Sequence, residues 1–390
     1  MQALVLTPAT RSASVQEIPI PTPGPGEVLI RVRAVAINPV DQIYFAEPIA
    51  AQAQRVLGVD FAGEVVGRHA DLKNSSDKRV KIGERVAGFV QGANSVNDRP
   101  GAFAQYVVSP HDLLWTIPST LLYEQASTVS MCALTVAQAL FPRFGLPSPF
   151  WNSQVPIPHD EDETINMLIY GSSSSLGFYG AQLVHLAAQA SGRRIRLIGT
   201  ASSRKHALLS AEPYGYDVLL DYRDPEWPAK VRDATGGVGV HYALDTISER
   251  DTVGKVHSTL YKHGKYHVFR SPSGGQYNTS DAAIQPAYGT VWEGLGHVID
   301  YGDGHVFSAP PESREFAIKF YEFLSSAVDG GKVALEPNPV RKMPGGLERI
   351  VPDAFALLSG LVSDRRDKDR QGQDDHSRPI SGEKLVYSID

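Results

Sequence analysis

The 390 residues are 42% hydrophobic and 21% charged, the composition of a folded chain whose length favours two domains over one. A formal charge of −6 offers no basic face to nucleic acid or to an anionic membrane. The one cysteine, Cys132, excludes internal disulfides and thiolate zinc clusters, fits a reducing, cytoplasmic setting, and reads as a small buried apolar residue.

The opening "MQALVLTPATRS" lacks the charged lead and cleavage site of a secretory signal. From Ala3 to Val108, EVLIRVRAVAI, FAGEVVGR and AFAQYVVS stand between Gly and Pro punctuation and predict an all-β module, with PIPTPGPGE (19–27) as a surface connection. The longest nearly apolar run, MCALTVAQALF (131–141), is too short to span a bilayer, so a soluble protein is expected. From Ile165 onward strands and helices alternate: INMLIY, a helix through GAQLVHLAAQA, RIRLIGT, a helix from about Ser203, then YDVLLDY, HYALDTI and KYHVFR. That order predicts a doubly wound parallel sheet over 131–306. Beyond Ser308, Phe316, Phe320, Phe323, Leu324 and Val328 step by threes and fours, predicting a helix with Ser313 as N-cap and Gly330–Gly331 as its stop. SGEKLVYSID reads as a strand that closes on the N-terminal module, and the charged 363–378 as a surface loop.

The segment LIYGSSSSLGFYGAQL (168–183) follows an apolar strand and opens a helix, the setting of a dinucleotide-binding turn. Gly177 keeps the close-packing glycine of that fingerprint, and Ser172 and Ser174 take the places of the other two. With Ser173 and Ser175 they form a hydroxyl-lined bend able to donate to a diphosphate at the helix N-terminus. The alternative is a serine turn that caps the helix and binds nothing. The next strand ends in GTASSRKH (199–206), with no acid to accept from a ribose 2′-hydroxyl. Ser202, Ser203, Arg204 and Lys205 suit a 2′-phosphate instead, and Tyr222 is placed to cover the adenine or reach the same phosphate. The cofactor indicated is NADPH.

GPGEVLIRVRAVAINPVD (24–41), LGVDFAGEVVG (57–67), KIGERVAGF (81–89), GAFAQYVV (101–108) and SGEKLVYSI together resemble the zinc-free branch of the medium-chain dehydrogenase/reductase superfamily. The resemblance implies an α/β protein: a GroES-like β-rich catalytic domain, 1–130 completed by 307–390, and a Rossmann NADPH-binding domain, 131–306. Zinc-dependent relatives carry a ligand cysteine where this chain has Asn38–Asp41, and Gly-His-Glu where it has Gly58, Val59 and Asp60, so no metal is expected. Without a Lewis acid, the reaction implied is hydride addition to a carbon–carbon double bond conjugated to a carbonyl. Tyr44 stands where some related reductases carry a tyrosine acid, but a packing or substrate-wall role suits it better.

A narrower resemblance, carried by FGLPSPFWNSQVPIPHDEDETINMLIYGSSSSLGFYGAQL and PAYGTVWEG (286–294), is to fungal trans-acting enoyl reductases of polyketide biosynthesis. It implies coenzyme contacts by Asp41, Gln42, Ile43, Tyr44, Val268, Phe269, Leu385 and Val386, with Thr135 near the nicotinamide ribose. It also implies an acyl pocket lined by Met131, Cys132, Ala133, Leu134 and Gln138, and a channel along Tyr288, Thr290, Val291 and Trp292. The partner implied is an acyl chain on the carrier domain of a polyketide synthase. A free-standing quinone or enone reductase, and a protein that binds coenzyme without turnover, suit the same fold and stay open. Neither a catalytic acid nor a subunit number follows from the sequence.

Overall fold

The computed structural model describes residues 1–49, 52–151, 164–302, 304–365 and 375–390. The Pro-rich lead-in from 152 to 163 and most of the charged stretch 363–378 lie outside the described residues. The chain forms two units: Met1–Met131 with Val291–Gly360 and Asp369–Asp390, and Cys132–Thr290 with Leu361–Lys368.

The first unit is built on the strand Glu27–Ala36, which buries Val28, Ile30 and Val32 on alternate positions. It pairs antiparallel with Asp60–Arg68, with Tyr106–Pro110 and with the C-terminal strand Lys384–Ser388. The C-terminal strand therefore closes on the N-terminal module, as its composition leads one to expect. Val340–Lys342, Arg85–Phe89 and Leu114–Thr116 complete a seven-stranded sheet, and Gln2–Thr7 centres a second sheet of three strands. Phe61, Phe103, Leu385 and Tyr387 lie in the core that results.

This module is not all β. Pro39–Ala46 is a helix with Pro39 at its first position, and Asp41 Oδ2 accepts the Asn38 amide at 2.8 Å. Those are helix-start signals on a segment too short to show a period. The later helix spans Pro311–Ser326, so Ser313 is not its N-cap: the fixed φ of Pro311 starts the helix earlier, and Ser313 donates its amide to Pro310 O at 2.9 Å. Val328–Gly330 is a separate 3₁₀ turn, ended by Gly331 at φ 68°. Residues 291–306, expected in the Rossmann domain, belong to this first unit. The reason is packing: Trp292 lies 5.9 Å from Phe89, and Val96 donates its amide to Asp300 O at 2.7 Å.

The second unit is a five-stranded sheet in the order Val218–Leu220, Ile195–Thr200, Ile165–Tyr170, Val240–Asp245, Leu260–Val268, parallel throughout. The central strand Ile165–Tyr170 is buried at every position, which is why it reads as an unbroken apolar run. Helix Ser175–Ser191 follows, with Ser174 as N-cap and Gly192 at φ 67° as its stop. The buried Glu249 carboxylate accepts the amides of Val362 and Ser363 at 2.9 and 3.0 Å, which fastens 361–365 to this unit. The strand order reverses direction between Ile165–Tyr170 and Val240–Asp245, so the crevice beyond their C-terminal ends is the topological switch point. No helix among the described residues is long and apolar enough to cross a membrane.

Candidate functional site

The serine bend lies at that switch point. Gly171, at φ 80°, takes the tight turn, one residue ahead of the expected Ser172; a Cβ there would lie 2.5 Å from Thr246 Oγ1. Gly177 has the close-packing role expected of it, since a Cβ would lie 2.5 Å from Gly171 O and 2.6 Å from Ser172 O. The four serines divide their work. Ser172 is buried and donates its hydroxyl to Ile169 O at 2.9 Å. Ser174 accepts the Gly177 amide at 2.9 Å and donates to Thr246 Oγ1 at 2.8 Å. These two shape and cap the turn, as the capping alternative would have it. The half-buried Ser173 and Ser175 have hydroxyls that hydrogen-bond to nothing among the described residues, and the amides of Ser175 and Leu176 open the helix without an intrahelical acceptor. These hydroxyls and amides, at the positive end of a 17-residue helix, are donors of the kind that hold an anion. Thr246, which donates onward to Tyr170 O at 2.8 Å, ties the turn to the neighbouring strand; only the sheet order marks it out.

Ser202 is buried, Ser203 and Arg204 are exposed and Lys205 is half-buried. Tyr222 is half-buried, with the Arg223 guanidinium 5.2 Å from its ring centre. Asp221 Oδ2 accepts the Ser203 amide at 3.1 Å. Burial works to raise its pKa, but the amides of Arg223 and Ser203 and the Arg223 charge hold the carboxyl below its usual range. Asp221 and Arg223 are two charged groups of this edge that the linear order hides.

Elsewhere in the second unit, Val268 is a core residue and Phe269 is half-buried, its amide donated to Ser248 Oγ at 2.9 Å. Ser248 and Arg250 both have positive φ, 53° and 48°, so the loop beside the switch point is strained. His267 is buried against Phe144 and Phe269, and burial followed by the Arg143 charge pushes it down to about 3, so it is a neutral ring. Tyr288 is exposed and Thr290 half-buried. On helix Ser130–Gln138, Met131 and Thr135 are half-buried one turn apart, while Cys132, Ala133, Leu134 and Gln138 are buried. The face of that helix able to meet a ligand is therefore the one carrying Met131 and Thr135.

In the first unit, Asn38, Asp41, Asp60 and Lys384 form one buried polar network. Lys384 Nζ donates to Asn38 Oδ1 and lies 3.7 Å from Asp60 Oδ2, which also accepts Asn38 Nδ2 at 2.9 Å. Asp60 Oδ1 accepts the Met131 amide at 3.0 Å. Asp41 Oδ1 is buried with no hydrogen-bond partner among the described residues. Burial pushes Asp41 up to about 8, with the Asp60 charge acting the same way against the Asn38 amide and Lys384, so Asp41 is largely protonated at neutral pH. Asp60, at a position where zinc-dependent relatives carry a ligand, is engaged by Asn38 and by the Lys384 ammonium; among the described residues no group of three His, Cys, Asp or Glu could hold a metal. Gln42 is half-buried and Ile43 exposed, and Tyr44 stacks on Tyr301 at 6.5 Å, which suits a wall residue. Leu385 and Val386 are core residues whose carbonyls accept the Ile37 and Met343 amides, and Val291 and Trp292 are likewise buried.

The family model described as Alcohol dehydrogenase GroES-like domain matches residues 24–119. The chain is 30% identical over 374 residues to Trans-enoyl reductase FSL5 of Gibberella zeae, covering 96% of this chain and 93% of that protein. It is 31% identical over 378 residues to Enoyl reductase cheB of Chaetomium globosum, covering 96% and 90%. Among solved structures, mycobacterial Rv1454c complexed with NADPH matches at TM-score 0.68 and 20% identity over both whole chains. The CurK enoyl reductase matches at TM-score 0.68 and 16% identity, covering 100% of this chain and 99% of that one; at these identities the likeness is one of fold.

Proposed function

The chain belongs to the trans-enoyl reductases of the medium-chain dehydrogenase/reductase superfamily, and from that premise we propose that it transfers hydride from NADPH to an α,β-unsaturated acyl thioester. The acyl chain is of polyketide type and is carried on the phosphopantetheine arm of a synthase with which this protein acts in trans. The observation that carries the reading is the bend Gly171–Gly177, too tight for any side chain at Gly177 and lined by the unengaged hydroxyls of Ser173 and Ser175.

NADPH, when bound, supplies the hydride. The chain's own part is to hold, orient and shield. Ser173, Ser175 and the first helical amides take the diphosphate, and Ser202, Ser203, Arg204, Lys205 and Tyr222 take the 2′-phosphorylated adenosine. Thr135 and Phe269 serve the nicotinamide end. The side chains of Val268, Leu385 and Val386 lie in the core, and the Val268 amide and the Leu385 and Val386 carbonyls are already engaged, so these three are left out of the coenzyme contacts proposed. Met131 heads the acyl contacts, on the same helix face as Thr135, and Tyr288 and Thr290 line the approach. Negative charge builds on the thioester oxygen as the β-carbon accepts hydride, so hydrogen-bond donors in a dry site stabilise the transition state more than the ground state. What supports a zinc-independent reaction is that Asp60, at a zinc-ligand position of the zinc-dependent relatives, is instead engaged by Asn38 and Lys384.

The test is NADPH consumption on adding an α,β-unsaturated pantetheine thioester. Turnover of quinones with none of thioesters makes the protein a quinone reductase, and tight coenzyme binding without turnover of either makes it a coenzyme-binding protein.

A further inference from the structure

An enzyme that selects NADPH must hold a dianionic 2′-phosphate, whereas one that selects NADH meets the ribose 2′-hydroxyl with a carboxylate. The segment 199–206 carries no acid, yet the sheet brings one to it. Thr200 and Leu220 are partners in the parallel pair of strands, so the chain leaving each strand emerges beside the other. Asp221 then accepts the Ser203 amide at 3.1 Å on Oδ2 and the Arg223 amide at 3.0 Å on Oδ1. The Arg223 guanidinium is 3.7 Å from the same carboxylate. This edge therefore carries Arg204, Lys205 and Arg223 for an entering phosphate, together with an acid that already holds an amide and a cation the phosphate would use.

Resting on the coenzyme reading above, we propose that Asp221 is a specificity-determining residue that holds down the preference for NADPH over NADH. Its carboxylate competes with a 2′-phosphate for Ser203 and Arg223, and it accepts the 2′-hydroxyl of NADH. A phosphate gains three cations here but meets one like charge and must displace it from the amide; a neutral hydroxyl meets only an acceptor.

The experiment is fluorescence titration of the full chain with NADPH and with NADH, for the wild type, Asp221→Asn and Arg223→Ala. Asp221→Asn is expected to tighten NADPH binding about tenfold, the size of one unit-charge interaction across roughly 5 Å of partly solvated space, and to leave NADH unchanged or weaker. Arg223→Ala is expected to weaken NADPH about tenfold and to spare NADH. Asp221→Ser, which keeps a short acceptor for the Ser203 amide, is titrated alongside so that a folding defect in one variant does not hide the result. Weaker NADPH binding by both Asp221 variants, or an unchanged coenzyme ratio, overturns the role of Asp221 while leaving the reductase reading intact. A wild type that binds neither coenzyme overturns both.

Discussion

Asp41→Asn probes the buried network of the first unit, and its effect can be worked out from the structure. The Asp41 carboxyl is pushed from 3.8 in the unfolded chain up to about 8 by burial, with Asp60 and Lys384 as the charged groups that face it. Between those two values the folded protein binds a proton that the unfolded chain has released, so this group's contribution to stability falls as pH rises, by about 1.4 kcal/mol per pH unit. At pH 7 the accumulated cost is about 4 kcal/mol, and above about pH 8 it stops growing. Asparagine stays neutral and keeps an acceptor for the Asn38 amide, but it buries an amide hydrogen pair where Oδ1 now has no partner, at a cost of about 1–3 kcal/mol. The variant should therefore be less stable than the wild type near pH 4 and more stable, by about 1–3 kcal/mol, at pH 7. Urea unfolding followed by tryptophan fluorescence at half-unit steps of pH measures the difference. A difference between the two proteins that stays flat across the range refutes a protonated Asp41.

Gly177→Ala puts a methyl 2.5 Å from Gly171 O, and is expected to cost about 1–3 kcal/mol and to abolish the rise in melting temperature on adding NADPH; an unimpaired shift would contradict the cradle. Arg204→Ala with Lys205→Ala should weaken NADPH at least about tenfold while sparing NADH, and equal losses in isothermal titration would show that these cations do not read the 2′-phosphate. Lys384→Met strands the Asp60 carboxylate, fully buried, without its cation and is expected to cost about 3–5 kcal/mol, most of it recovered in the double variant with Asp60→Asn. Equal unfolding midpoints for the single and double variants would mean the pair is not coupled.

What the sequence makes legible is what each segment decides locally. Ile165–Tyr170 announces itself as a central parallel strand because both its faces are covered, and Gly177 because no side chain fits. The helix at Pro39–Ala46 carries its signals in Asn38, Pro39 and Asp41 but is too short for periodicity to confirm them. Other features belong to pairs of segments and cannot be read from either alone. Asp221 stands 18 residues from Ser203 and reaches it only because their strands are neighbours. Likewise Trp292 follows the Rossmann pattern in chain order, yet its ring packs on Phe89, which draws 291–306 into the first unit. The serine bend shows a third kind of limit. Its four hydroxyls look equivalent as letters, and only the carbonyl of Ile169 and the hydroxyl of Thr246 separate the two that build the turn from the two left for a ligand.

The network around Asp60 joins segments that are far apart in the chain. Asp60 and Asn38 are 22 residues apart, the Met131 amide comes from 71 residues beyond Asp60, and Lys384 is 346 residues from the Asn38 oxygen it bonds. A buried carboxylate with no cation costs several kcal/mol unless it takes up a proton, and burial does raise the Asp60 pKa while Lys384 lowers it, so Lys384 favours the ionised form of Asp60 in the finished unit. The cation arrives on Lys384–Ser388, a strand that also supplies Leu385 and Tyr387 to the core and pairs with Glu27–Ala36. One strand therefore supplies both apolar core residues and the cation that faces Asp60. The sheet of the second unit, by contrast, draws all its strands from between Ile165 and Val268.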